Sequence, residues 1–91
     1  MKVKVQFFAN LREVFSSKDI IIEIKNNTHV GELLNLLCDT RKRRGEIFDN
    51  GSLKPYMVIL KNGRHIQHLN GLQTELSKGD NIAIFPPVAG G

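Results

Sequence analysis

Val30-Gly31-Glu32-Leu33-Leu34-Asn35-Leu36-Leu37 is the segment that determines how the rest of this chain can pack. Four aliphatic residues recur in it at i, i+3, i+4 and i+7, and this spacing predicts an amphipathic helix with one buried stripe. The four residues are Val30, Leu33, Leu34 and Leu37. Thr28 or His29 can cap the first turn, where the helix dipole also favours the negative charge of Glu32. We therefore expect one main helix that packs against a sheet through this stripe.

The basic run Arg41-Lys42-Arg43-Arg44 and the following Gly45 are expected to end this helix. Cations are stabilised at the negative pole of a helix, and glycine commonly follows a last turn. An acidic patch on a partner is the alternative role for the run. Nucleic-acid binding is not expected, because no aromatic residues that stack on bases interleave with these charges. Cys38 lies beside two leucines of the stripe and is expected to be a small buried residue, not a nucleophile.

Two strands are predicted before the helix, joined as an antiparallel hairpin. Alternation of apolar and polar residues predicts a strand at residues 2–8, and alternating isoleucines predict another at about residues 19–25. Phe8 shares a face with the polar residues of the first strand, so we expect it to point outward. In the connection between the two strands, Leu11 and Phe15 are expected to fill the core.

Three further strands are predicted after the helix. Residues 46–55 are expected to be irregular, and residues 57–60 to form a strand that is apolar on both faces. Asn62-Gly63 is a strong signal for a two-residue hairpin turn, and a short strand at residues 64–66 should pair back. Residues 81–85 are predicted to be the last strand, with its two isoleucines on one face.

The order of these elements predicts an α+β fold. One helix cannot cover both faces of a sheet of this size, so the simplest packing lays it across one face of a mixed sheet, as a roll. We expect residues 1–85 to form this single domain and residues 86–91 to form a tail.

The predicted tail follows Phe85 and reads Pro86-Pro87-Val88-Ala89-Gly90-Gly91. Prolines lack a backbone N–H, so we expect them to end the last strand and to stiffen the exit of an otherwise flexible segment. Gly90 and Gly91 carry no Cβ, and they fit a channel too narrow for other residues. We expect a free α-carboxylate on Gly91, ionised at neutral pH, which the tail delivers to another protein.

Composition restricts the class of protein. The 91 residues are 41% hydrophobic and 24% charged, with a net charge of +4, as in an ordinary single globular domain. No apolar run approaches the ~20 residues that a membrane helix needs. The start has a strand pattern and not that of a signal peptide, and one cysteine excludes an internal disulfide. We therefore expect a cytoplasmic protein without a membrane partner.

No catalytic centre is apparent in the sequence. His29, His65 and His68 are not accompanied by the further ligands that a zinc site requires, so no metal site is expected. Neither a glycine-rich phosphate loop nor a serine nucleophile motif is present. We expect no bound cofactor, and we expect the chemistry of the tail to depend on other proteins.

The sequence Phe7-Phe8-Ala9-Asn10-Leu11-Arg12-Glu13, taken with the Pro-Pro-Val-Ala-Gly-Gly ending, resembles the MoaD/ThiS sulfur carriers. Within that family the chain is most similar to the small subunits of molybdopterin synthase. The resemblance covers nearly the whole chain and implies a ubiquitin-like β-grasp fold. In that fold the first and last strands lie side by side and parallel at the centre of the sheet.

The resemblance also implies the chemistry of Gly91. A MoeB-like adenylyltransferase of the ubiquitin-activating type would consume ATP and join the Gly91 carboxylate to AMP. A sulfurtransferase or cysteine desulfurase would supply a persulfide, and displacement of AMP would lead to a thiocarboxylate. The MoaE-like large subunit of molybdopterin synthase would then accept the loaded tail, and the sulfur would pass to a pyranopterin in molybdenum or tungsten cofactor biosynthesis.

The resemblance implies a partner-binding surface on the sheet. Phe8 and Phe85 match the outward aromatic positions of that surface. Val58 or Ile59 would extend it, according to which face of their strand points outward. His65 stands where the family usually has an apolar residue, and this difference leaves the usual partner open.

Other recipients of the sulfur are open at this point. Related carriers supply sulfur for cysteine synthesis or, in shorter chains, for thiazole formation. A different class of function is a ubiquitin-like protein modifier, in which activated Gly91 forms isopeptide bonds with lysines of target proteins. All of these functions require the same activated glycine, so the sequence does not separate them.

Overall fold

The fold is described here from a computed structural model, which covers residues 1–87. The predicted tail at residues 86–91 is therefore described only at Pro86 and Pro87. The flexibility expected of the tail, and the glycine positions Gly90 and Gly91, lie outside the described residues.

Residues 1–87 form short strands and short helices. They are β1 (Lys2–Phe7), α1 (Leu11–Val14), β2 (Asp19–Glu23), α2 (Val30–Leu37), α3 (Arg41–Ile47), β3 (Phe48–Asp49), β4 (Ser52–Leu53), β5 (Val58–Lys61), β6 (Arg64–His65) and β7 (Asn81–Phe85). Single 3-10 turns at Ile66–His68 and Gly71–Gln73 connect β6 to β7. None of the helices in this part of the chain combines the length and the apolar character needed to cross a membrane.

Within residues 1–87, five strands form one mixed sheet in the order β2-β1-β7-β5-β6. The first and last strands are parallel neighbours at its centre, with Val5 beside Ile82. β2 is antiparallel to β1, and β5 is antiparallel to β7, with Ile59 beside Ile84. The main helix packs across one face of this sheet, so the predicted β-grasp roll is confirmed.

The helix stripe and the inner face of the sheet together form the core. Burial along β1 alternates, and the side chains of Val3, Val5 and Phe7 are almost completely inaccessible to solvent. The four aliphatic residues of the α2 stripe are all buried in the same cluster, as their spacing predicts. Leu11 and Phe15 are also buried there, and Phe15 stacks on Phe7 at a centroid distance of 4.5 Å.

The basic run was expected to end the main helix, and this prediction is wrong. α2 ends at Leu37, and Cys38 leaves helical geometry with φ −87° and ψ 62°. The run instead lies in α3, whose N-cap is Thr40. This helix includes Gly45 and continues to Ile47. The Thr40 hydroxyl accepts a hydrogen bond from the N–H of Arg43 at 3.1 Å, and such a cap starts a new helix.

Residues 46–55 are also more regular than expected. α3 runs to Ile47, and β3 and β4 then pair as a two-residue hairpin with Phe48 beside Leu53. Asn50 and Gly51 turn the chain at positive φ, as expected for asparagine and glycine in a tight turn. The helix α1 was not predicted, and the short strand expected at 64–66 ends at His65 because the chain enters a 3-10 turn.

Candidate functional site

The candidate site is the outer face of the sheet, which is the face turned away from α2. The strand register places Gln6, Ala83, Leu60 and His65 side by side across four strands. Phe85 lies beside Val58 in the next outward-facing row. Because side chains alternate between the two faces of a strand, these residues form one continuous surface on the opposite side of the sheet from the core.

Phe8 and Phe85 are in direct contact on this face. Their rings stack with centroids 4.1 Å apart and an angle of 13° between the planes, and both residues are half-buried. The Arg12 guanidinium lies 5.5 Å from the centroid of the Phe8 ring, and its Nε donates to the Phe7 carbonyl oxygen at 3.0 Å. The stacked pair is thus held at the ends of the two central strands, and it remains accessible to a partner.

The structure decides between the two residues proposed for β5. The prediction of Ile59 as a partner-binding residue is wrong, because its side chain is completely buried on the inner face beside Ile84. Val58 points the other way and is half-buried beside Phe85.

Two further residues of the outer face were missed in the sequence analysis. Leu60 is half-buried, and Ala83 is 7% exposed. Period-two spacing from Val58 and from Phe85 is the signal that would have identified both. Only the strand register shows that the two residues belong to the same outward-facing row, because it places Leu60 beside Ala83.

His65 lies at the far side of the same surface, on the short strand β6. It is half-buried, and its Nδ1 accepts a hydrogen bond from the N–H of Gln67 at 3.1 Å. The His68 ring stands edge-on to the His65 ring, with centroids 6.0 Å apart. The predicted surface therefore ends on a histidine whose ring position is fixed by the following turn.

The predicted tail follows β7, a strand that is hydrogen-bonded to a neighbour on each side. β7 pairs with β1 along one edge and with β5 along the other, and Phe85 is its last residue. The side-chain amide of Asn81 also donates to Gln6 Oε1 at 2.9 Å, which ties β7 to β1 across the outer face. Pro86 thus begins next to the stacked aromatic pair, directly after the central strand of the sheet.

Two further potentially reactive side chains, those of Cys38 and His29, lie away from this surface. Cys38 is buried in the core at 6% exposure, and burial raises the pKa of its thiol to about 11. His29 Nδ1 lies 2.7 Å from Glu32 Oε1 at the start of α2. Among residues 1–87, no group of three or more histidine, cysteine, aspartate or glutamate side chains is arranged to hold a metal ion.

Three comparisons relate this chain to known proteins. Residues 5–91 match the model of the ThiS family. Small archaeal modifier protein 3 of Haloferax volcanii is 39% identical over 92 residues, and the match covers 100% of both chains. The molybdopterin synthase sulfur carrier subunit of Drosophila ananassae is 29% identical, with 100% of this chain and 92% of that protein covered. The solution structure of small archaeal modifier protein 1 from Methanosarcina acetivorans superimposes with a TM-score of 0.83 at 37% identity, covering 99% of this chain and 96% of that one.

Proposed function

Because the chain belongs to the ThiS family of ubiquitin-like sulfur carriers, we propose that Gly91 carries sulfur as a thiocarboxylate and donates it in molybdopterin biosynthesis. The family match extends to Gly91, and the fold places the start of the tail at a surface suited to partner binding. In this proposal the chain has no catalytic centre of its own, and its partners supply the reactive groups.

The observation that carries the proposal is the stacked pair of Phe8 and Phe85 beside the exit of the tail. A partner that covers these rings meets the start of the tail at a fixed position, because Phe85 belongs to the central strand β7 and Pro86 follows it. Exposed aromatic residues surrounded by smaller apolar ones are common at the energetic centre of interfaces. Val58, Leu60 and Ala83 supply such a surround.

Loading of Gly91 begins with activation of its carboxylate by ATP. A carboxylate is a poor electrophile, so the loading enzyme forms an acyl-adenylate on Gly91 and releases pyrophosphate. A partner persulfide attacks the acyl carbon and AMP leaves. The resulting acyl disulfide is cleaved by a thiol, which becomes part of a new disulfide, and the thiocarboxylate remains on Gly91. Residues without a Cβ allow the end of the chain to reach the adenylation site through a narrow channel.

The proposed recipient is a pyranopterin held by the large subunit of molybdopterin synthase. The support is the full-length similarity to the Drosophila ananassae protein, which is named a molybdopterin synthase sulfur carrier subunit. The partners in this proposal are a MoeB-like adenylyltransferase, a sulfurtransferase or cysteine desulfurase, and a MoaE-like large subunit. We propose that the first and last of these dock on the Phe8–Phe85 face.

A second candidate function is modification of proteins through Gly91. It is favoured by the 39% identity, over both full lengths, to small archaeal modifier protein 3. In this case a lysine amine of a target protein, and not a persulfide, displaces AMP and forms an isopeptide bond. Both candidates use the same adenylate and the same docking surface, and they differ in the nucleophile.

Intact-mass spectrometry after incubation with ATP, a loading enzyme and a sulfur source tests the proposal. We expect the exchange of one oxygen for sulfur, located at Gly91 by fragmentation. Gly90→Val should fold normally and load poorly, because its side chain obstructs the channel. Loading that persists when a residue is appended after Gly91 would contradict the assignment of the carrier atom. Target lysines in cells that carry a branched peptide ending in Gly91, without synthase activity in a reconstituted assay, would favour the second candidate.

A further inference from the structure

An open strand edge borders the outer face of the sheet on the far side of β1. β2 forms one edge of the five-stranded sheet, and within residues 1–87 no strand pairs with its outer side. Its central residue, Ile21, is 63% exposed, although most isoleucines of this chain are buried. An exposed edge of this kind offers free N–H and C=O groups to another strand.

The hydrogen bonds to β1 show which backbone groups are free. Phe7 N–H donates to the Lys18 carbonyl at 2.8 Å, and Ile24 N–H donates to the Met1 carbonyl at 2.8 Å. In an antiparallel pair the hydrogen-bonded residues alternate, so the backbone groups of even-numbered β2 residues point toward β1. The N–H and C=O groups of Asp19, Ile21 and Glu23 therefore point outward along the edge.

A groove runs beside this edge, between β2 and α2. It has a volume of about 500 Å³, and its apolar floor at Ile24 and Leu36 is bordered by the polar residues Glu23, Lys25, Thr28, Glu32 and Asn35. Leu36 is 57% exposed. Ile21 and Leu36 are two of the three large hydrophobic residues that are exposed in the described chain. Ile21 lies on the outer face beside Lys4 and Leu36 lies on the helix side, so exposed apolar side chains stand on both faces near the open edge.

We propose that β2 pairs antiparallel with β2 of a second copy of this chain, across a two-fold axis at Ile22. In this register Ile21 lies opposite Glu23 of the second copy, and their outward N–H and C=O groups form hydrogen bonds on both sides of the axis. On the helix side of the sheet, Ile20 lies opposite Ile24, and the two Ile22 residues face each other. The two sheets then join into one, with an unbroken row of isoleucines facing the helices.

Charge complementarity selects this register. It places Asp19 of each copy opposite Lys25 of the other, and both residues are exposed. The alternative with Ile21 opposite Ile21 brings Asp19 against Glu23, which places like charges together at both ends. Odd-numbered residues face each other in both registers, so the hydrogen-bonding groups are available in either one. The signs of the charges therefore decide between them.

The interface consists of one short strand and one exposed helix residue from each copy, so it lies at the small end of specific interfaces. We expect a weak dimer in rapid exchange, whose population rises across roughly 10 µM to 1 mM in sedimentation velocity. Isotope-filtered NMR should show contacts between Ile21 of one copy and Glu23 of the other. The strand β1 separates this edge from β7, so dimer formation does not depend on the function of Gly91.

A charge swap tests the register. Asp19→Lys and Lys25→Asp should each weaken the dimer by about fivefold or more, because each creates two like-charge pairs. The double variant should restore the affinity of the original protein, since the pairs are only reversed. Asp49→Lys and Lys78→Asp change the net charge equally at exposed positions elsewhere and should leave the affinity unchanged.

Ile21→Pro tests the edge itself. Proline is tolerated on an edge strand where its missing N–H faces solvent, so the variant should remain folded and lose the dimer. Circular dichroism and thermal melting check the fold of this monomer. A chain that stays monomeric up to about 1 mM overturns the proposal. A dimer that survives Ile21→Pro, or one that the double charge variant does not restore, overturns it as well.

Discussion

Asn62 and Asp80 join the β5–β6 turn to the start of β7. The Asn62 side-chain amide donates to Asp80 Oδ1 at 2.8 Å, and Asp80 Oδ2 accepts from the N–H of Ser77 at 2.7 Å. The Lys61 ammonium lies 3.6 Å from the same carboxylate, which belongs to a residue with only 7% exposure. This carboxylate therefore joins two segments, residues 61–62 and residues 77–80, just before the strand that leads to the tail.

Asp80→Ala should lower the free energy of unfolding by roughly 1–3 kcal/mol, because it removes a buried acceptor and leaves the Ser77 N–H without its partner. Urea denaturation followed by circular dichroism measures the change. Asp49→Ala removes an exposed carboxylate from the β3–β4 hairpin and serves as the control. Equal stability of the two variants would show that the Asp80 contacts contribute nothing net.

Phe8→Ser should weaken binding to the loading enzyme by about 30-fold, because an aromatic residue at the centre of an interface often contributes ~2 kcal/mol or more. The protein should remain folded, losing the ~0.5–1.5 kcal/mol of the aromatic pair and the burial of part of the Phe8 ring. Calorimetry of the complex and thermal melting of the free protein measure the two effects.

The matched control for Phe8→Ser is Tyr56→Ser, since Tyr56 is 87% exposed and belongs to none of the strands of the sheet. It should change neither binding nor melting. If Phe8→Ser unfolds the free protein, Phe8 belongs to the core and the proposed docking surface loses its centre.

The Cys38 thiol should resist alkylation in the folded protein. Burial raises its pKa from 9.0 to about 11, so little thiolate is present at pH 8 and the sulfur is inaccessible. The folded state disfavours the thiolate, and stability should therefore decline as pH rises above 9.0 toward about 11. The rate of reaction with iodoacetamide at pH 8, with and without denaturant, measures this resistance to alkylation. Fast labelling of the native protein would contradict it.

Glu32 should stabilise the start of α2 at neutral pH. Its carboxylate accepts the backbone N–H of His29 at 3.0 Å and also contacts the His29 ring, and these hydrogen bonds lower its pKa below 4.5. Because the folded pKa is the lower one, the stabilisation is complete above the unfolded value and disappears as pH falls through the folded value.

Glu32→Gln should therefore lower the melting temperature at pH 7 and have a smaller effect near pH 3. Glu13→Gln changes an exposed glutamate whose side chain makes no hydrogen bond within residues 1–87, and it is the control. Carboxyl titration by NMR reports the pKa directly. A normal pKa for Glu32 would show that the His29 contact is not maintained in solution.

Local patterns in the sequence were sufficient for most of the fold. The spacing of the aliphatic residues from Val30 to Leu37 predicted the main helix, and alternation predicted the last strand at its observed bounds. These patterns succeed because burial of one side of an element imposes its own period on the chain. The sequence also supplied the grounds for the proposal at Gly91, through its resemblance to the sulfur carriers and through an ending on two residues without a Cβ.

Other features depended on contacts between distant parts of the chain. The basic run was assigned to the end of α2, but Thr40 starts a new helix whose Ile47 packs into the core. Whether Val58 or Ile59 faces outward depended on the pairing of β5 with β7, because that strand is apolar on both faces. Phe8 meets Phe85 only because β1 and β7 are parallel neighbours, which brings together residues from the two ends of the chain. Long-range pairing of this kind is determined by the packing of the whole sheet, and no local period encodes it.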